Sequence, residues 1–101
     1  GRHLDTTVTT AAVIAEVAQA VAGKAEVYVD GGIRRGTDIL KALALGARAV
    51  MIGRPVIWGL TVNGADGVAA VLDHLHVELV RAMQLSGTAS LSDAVPDLLA
   101  R

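Results

Sequence analysis

The sequence has no cysteine, which removes disulfides, thiolate metal ligands and thiol nucleophiles from consideration. Aromatic residues are almost as scarce, at 2% of the chain, one Trp and one Tyr. The apolar volume must therefore come from Ala, Val, Leu and Ile. No apolar run approaches the roughly 18 residues that a membrane-crossing helix needs, so no span is expected. An excess of charge is missing too. The formal net charge is −1, which argues against nucleic acid or an anionic membrane surface as the main partner. Gly1-Arg2-His3 carries neither an initiating Met nor a signal-peptide pattern, and the expectation is a piece of a longer cytoplasmic chain.

What remains is 101 residues, 52% of them hydrophobic, enough for one small domain. Small aliphatic side chains of this kind fill parallel sheets that are buried on both faces. The most informative stretch is Ala25–Pro55, AEVYVDGGIRRGTDILKALALGARAVMIGRP. Val27, Tyr28 and Val29 form a short β-favouring run that ends in Asp30 and two glycines. With no Cβ on Gly31 or Gly32, backbone N–H groups there can approach a ligand closely. Thr37 is the expected N-cap of the following helix, with Asp38 adding negative charge to its first turn. Ile39, Leu40, Leu43 and Ala47 recur at helical spacing, and Gly46 stands where a left-handed C-cap is wanted. A second buried-type strand, 49–52, runs into Gly53-Arg54-Pro55.

Around this stretch the pattern predicts a loop over 1–9 and a helix over 10–22. Val13, Ile14, Val17 and Val21 share one face of that helix, and Gly23 stops it. Residues 56–60 read as one extra helical turn, and Asn63-Gly64 as a loop. Asp66 is placed to cap a long helix over about 67–86 that ends at Gly87. Its stripe is Val68, Val71, Leu72, Leu75, Leu79 and Met83. Ser90 caps a final short segment in which Leu91, Val95, Leu98 and Leu99 can dock on a neighbour.

The predicted order is thus helix, strand, helix, strand, helix. Right-handed crossovers make the two strands parallel and adjacent. A pair of parallel strands leaves an edge and an apolar face uncovered, which is unstable in water, so strands are missing. The expected fold class is α/β: the C-terminal portion of a (β/α)8 TIM barrel, its last two β/α units with the preceding helix and the C-terminal helices. Such a barrel takes about 250 residues and often binds phosphate after its last two strands, with help from a short extra helix. Strand ends that each release a glycine and an arginine suit that task, since bare amides donate to the oxygens and guanidinium groups add bidentate charge. A doubly wound sheet is the rival, but GGIRRG lacks the G-x-G-x-x-G spacing.

Three motifs carry a resemblance: GR-x-LD at 1–5, DGGIRRGTDILKALALGARAV at 30–50 and GRP at 53–55, with L-S-G-x-x-S-L at 85–91 continuing it. On these residues the chain resembles the FMN-dependent 2-hydroxy acid oxidases and dehydrogenases, which act on glycolate, lactate, mandelate or hydroxymandelate. VIWGL is closer to the aryl-substrate members. The resemblance implies residues 1–101 as the C-terminal fragment of one FMN-binding barrel domain. It implies FMN held by Asp30, Gly31, Gly32 and Arg34, and by Gly53 and Arg54. Arg2 would clamp the substrate carboxylate, with His3 replacing the usual Gln. The family's general-base His falls two places before Gly1, so no catalytic residue lies in this chain. The flavin-facing lysine and the substrate-binding tyrosines of earlier strands also lie outside it. The implied whole oxidises an L-2-hydroxy acid to the 2-oxo acid. Its implied partners are the N-terminal remainder of the barrel and further copies, as a tetramer or octamer.

Plainer readings stand beside these. Gly31-Gly32 serves equally as a simple strand-to-helix turn. Asp30 is either a strand-end cap or a partner for sugar hydroxyls. Arg35 reads as a solvated or ribityl-side charge, Lys41 and Arg48 as surface charges, and Trp58 as packing. His3 lacks an orienting partner, and His74 and His76 stand two apart, on different helix faces. Two other functions compete: a nucleotide-binding barrel like IMP dehydrogenase or GMP reductase, which shares DGGI-x-x-x-x-D-I-x-K-A-L-A-x-G-A, and a non-catalytic barrel piece that associates with another polypeptide. Expressed alone, the chain should be insoluble or molten, and calorimetry should show no sharp cooperative transition. A steep two-state melt of the isolated monomer would contradict the missing-strand argument.

Overall fold

The computed structural model describes residues 3–100. Helix α1 (Thr10–Val21) leads to strand β1 (Tyr28–Val29), helix α2 (Gly36–Ala44), strand β2 (Ala49–Val50) and helix α3 (Arg54–Ser86). Two single-turn 3-10 helices, Leu91–Asp93 and Pro96–Leu98, follow. The order matches the expected alternation. Both strands are shorter than their apolar runs suggest, because each has a single partner, the other strand.

That pairing is parallel, with Tyr28 opposite Ala49 and Val29 opposite Val50. Side chains alternate across a strand, so the ladder has two different faces. Val29 faces a core with Ile14, Ala42 and Ala47, flanked by Val27, Leu45 and Val50. The other face carries Tyr28, Ala49 and Met51. Tyr28 is 55% exposed and Met51 51%, a heavy apolar load for a sheet surface with nothing on it. The Tyr28 hydroxyl donates to the Glu26 carboxylate, which holds the phenol above its ordinary pKa.

Helix α2 shows why its ends fall where they do. Its N-cap is Arg35, not Thr37. Asp38 takes over the capping by reaching back to the Arg34 and Arg35 amides, each at 3.0 Å, so the helix starts before the threonine. At the other end Gly46 adopts φ 106°. The Ala47 amide donates to the Ala42 carbonyl at 3.0 Å and Gly46 to Leu43 at 2.9 Å. This is a Schellman motif, and its usual apolar contact is the one between Ala42 and Ala47 in the core. Helix α1 keeps Ile14 buried, but Val17 is partly open at 42%.

Helix α3 is two arms. Asn63 and Gly64 leave helical geometry, with φ −150° and 55°, at the break that the Asn-Gly signal marks. The first arm, 54–62, lengthens the extra helical turn expected over 56–60 at both ends, because Gly53 is its N-cap and Pro55 fits its first turn. Asp66 lies inside the first turn of the second arm, 65–86, rather than capping it. Val68, Val71, Leu75, Leu79 and Met83 of the expected stripe turn inward, while Leu72 stays exposed. By length and mean hydropathy, 1.3, α3 has the composition of a membrane-crossing helix. The arms nevertheless fold against each other, which a straight span would not do.

Their contact is backbone to backbone. A Cβ on Gly67 would lie 1.9 Å from the Gly59 carbonyl oxygen, and one on Gly59 would lie 2.5 Å from that of Gly67. Helices α2 and α3 meet as closely: a Cβ on Gly36 would lie 2.1 Å from the Leu79 amide nitrogen. Gly67→Ala in the complete protein should cost about 1–3 kcal/mol through overpacking. The check is a chemical-denaturation midpoint that drops while the m-value holds.

Candidate functional site

A parallel ladder sends both chains out at the same end. Neighbouring strands lie about 4.8 Å apart, so the segment after Val29 and the segment after Val50 emerge side by side. The first is Asp30-Gly31-Gly32-Ile33-Arg34-Arg35, the second Met51-Ile52-Gly53-Arg54. Among the described residues, the six singled out for cofactor binding are Asp30, Gly31, Gly32, Arg34, Gly53 and Arg54. All six fall on these two exits. Arg2, the expected carboxylate clamp, and Gly1 lie outside the described residues. His3 is within them and exposed.

The glycines are needed for their geometry. Gly31 and Gly32 both have positive φ, 100° and 82°, a region that L side chains avoid. Gly31 also passes close to α1: a Cβ there would lie 2.9 Å from the Thr10 hydroxyl. That hydroxyl donates to the Asp30 carbonyl at 2.8 Å and pins the start of the loop. Around Gly32 and Gly53 a Cβ would meet nothing within 4 Å. The loop is therefore tight on the α1 side and open on the other, where an anion could come against bare backbone.

The cations are free to meet it. Arg34 and Arg54 are exposed, and among the described residues neither is in an ion pair; Arg48 pairs with Glu26 at 3.5 Å and His74 with Glu78 at 3.3 Å. No side chain caps the N-terminus of α3 at Gly53, so its positive dipole end faces the same region as the Arg54 charge. A small, multiply charged oxyanion such as a phosphate monoester fits this set of donors.

Two contacts were not signalled by the sequence. The Arg34 guanidinium lies over the Trp58 ring, 5.5 Å from its centroid, within cation–π range. Trp58 reads locally as a packing residue. Here it forms one wall of an apolar cavity of about 300 Å³ beneath Arg34, with Pro55, Val71, His74 and Leu75. Glu78 accepts a hydrogen bond from the Gly36 amide at 2.9 Å, across 42 positions of chain. Its second carboxylate oxygen faces His74. The separation in sequence explains why no spacing argument finds it. Among the described residues no group of three or more His, Cys, Asp or Glu side chains could hold a metal ion.

The chain is similar to known proteins over nearly its whole length. A model of the FMN-dependent dehydrogenase family matches residues 1–101. The chain is 54% identical over 99 residues to 2-hydroxyacid oxidase 2 of Rattus norvegicus, covering 98% of this chain and 28% of that protein. It is 56% identical over 93 residues to an L-lactate oxidase of a Nostoc species, covering 92% of this chain and 26% of that one. A solved structure of a mandelate oxidase mutant with a monooxide FMN adduct superposes with a TM-score of 0.87 at 49% identity, covering 90% of this chain and 29% of that one. The chain thus spans between a quarter and three tenths of the length of these proteins.

Proposed function

Because the chain belongs to the FMN-dependent dehydrogenase family, we propose that it is the C-terminal, cofactor-gripping part of a (β/α)8 barrel that oxidises a 2-hydroxy acid to the 2-oxo acid. The observation that carries this reading is the parallel, in-register pairing of β1 with β2. It brings Asp30-Gly31-Gly32 and Arg34 out beside Gly53 and Arg54, as one FMN phosphate site requires.

The chain's own residues divide the work. Bare amides of Gly31 and Gly32 donate to phosphate oxygens, and Arg34 and Arg54 add bidentate charge. The Asp30 carboxylate reaches the sugar-alcohol hydroxyls of the cofactor. Arg2 fixes the substrate carboxylate in two-point fashion and so orients the carbon that is oxidised. FMN, when bound, supplies the two-electron acceptor. The imidazole base that takes the substrate proton belongs to the remainder of the barrel, two places before Gly1.

The open ladder face supports the same proposal. Tyr28, Ala49 and Met51 are what a missing set of strands would cover, and the matched relatives are more than three times as long as the part this chain covers. Their names, 2-hydroxyacid oxidase and L-lactate oxidase, point to small 2-hydroxy acids. A mandelate oxidase at 49% identity keeps an aryl-bearing 2-hydroxy acid among the candidate substrates. The IMP dehydrogenase-like reading is not favoured, since the family and relatives found here are flavin oxidoreductases.

Arg54→Ala in the complete protein should weaken FMN by about 1.5–3 kcal/mol, roughly ten- to a hundredfold in dissociation constant, as a lost charge-assisted contact does. Flavin absorbance after dialysis reads this directly. Arg2→Ala should raise KM and lower turnover, with kcat/KM down by about a hundredfold or more. Unchanged kinetics would remove Arg2 from the site, and retained flavin in Arg54→Ala would remove the second strand end.

A further inference from the structure

The loop between β1 and α2 is held at more points than a strand-to-helix turn needs. Thr10 holds its start and Asp38 takes the Arg34 and Arg35 amides. Glu78 takes the Gly36 amide. The Arg34, Arg35 and Gly36 amides are therefore already engaged. Arg34 and Arg35 both carry exposed charge free of any described ion pair, and Arg34 is the one that another element of the fold meets.

A long arginine is a poor fixed charge unless something orders it beforehand, because it loses much rotamer freedom on binding. Both arms of α3 act on this one residue. Trp58, in the first arm, presents its ring face to the guanidinium, 5.5 Å from the ring centroid. A cation–π contact draws on the charge and not on a hydrogen bond, so guanidinium N–H groups stay available for an anion. Glu78, in the second arm, fixes the backbone two residues further on. Its side chain is only 23% exposed, its carboxylate sits at the positive end of the α2 dipole, and the close approach at Gly36 leaves α2 no room to slide on α3.

We propose that Trp58 and Glu78 are positioning residues for the phosphate group of FMN, acting through Arg34: the indole orders its guanidinium, and the carboxylate sets the backbone that carries it. The inference rests on the FMN reading above and adds a role for α3, which touches neither substrate nor flavin ring in this scheme.

The test is a pair of titrations on the complete apoprotein, one with FMN and one with riboflavin, which lacks the phosphate. Trp58→Leu should weaken FMN about threefold, the scale of a half-exposed cation–π contact. Glu78→Ala should weaken it about tenfold, the scale of a lost hydrogen bond to a charged group. Trp58→Phe keeps a ring face and Glu78→Gln keeps an acceptor for the Gly36 amide, so both should recover most of the affinity. Riboflavin should bind all four variants as it binds the parent protein. A merely structural role would weaken both ligands in equal proportion, and that result would overturn the inference. So would unchanged FMN affinity in Trp58→Leu, a variant at a residue 50% exposed, which decides the matter if Glu78→Ala does not fold. Arg34→Ala separates the two levels. If it leaves FMN affinity intact, the phosphate reading itself falls; if it weakens FMN while Trp58→Leu and Glu78→Ala do not, only the positioning role falls.

Discussion

Val29 and Val50 stand side by side on a parallel ladder, and most of what this chain does follows from that adjacency. Parallel pairing forces a crossover, and α2 is that crossover. It also forces both strands to end on the same side, so the residues after them share one patch of surface. Had β2 paired antiparallel with β1, Gly53-Arg54 and Asp30-Gly31-Gly32 would have left at opposite ends. The ladder is short and has one covered face. Its other face, with Tyr28 and Met51 open, makes this a structure whose stability depends on neighbours outside the chain.

Helix α3 is the second organising element. Three glycines let backbones touch where side chains would keep them apart: Gly59 against Gly67 between its arms, and Gly36 against the Leu79 region between α2 and α3. Such contacts are rigid because no flexible side chain lies between them to give way. The result is a folded-back helix that reaches the β1–α2 loop from two directions, once through Trp58 and once through Glu78. Rigidity of this kind suits a phosphate grip, whose donors gain most when they are in place before the ligand arrives.

The electrostatic design is economical. Two carboxylates near the loop are turned inward to hold backbone: Asp38 onto two amides and Glu78 onto a third. Neither neutralises Arg34 or Arg54. Negative charge thus builds the loop's frame while positive charge stays exposed at its open side, outside any described ion pair.

Much of this was legible in the residues. The aliphatic runs, the Asn63-Gly64 break, the Gly46 and Gly87 stops and the DGG and GRP punctuation placed the elements in order and marked the two strand exits, because periodicity and glycine chemistry act over a few residues. The motif 30–50 also led to the family. What local rules missed were contacts that local rules cannot contain. Thr37 has a good capping side chain, yet Asp38 displaced it by reaching back to amides ahead of the helix. Trp58 looked like filler, and its use depends on where Arg34 comes to rest. Glu78 meets Gly36 only because the chain returns after 42 residues. The sequence by itself determined which segments are helices and strands and which residues are candidates for an anion site. Only the tertiary structure decided which of them stand together, since that depends on strand pairing and on how closely helices approach, and both are set by packing between segments far apart in the chain.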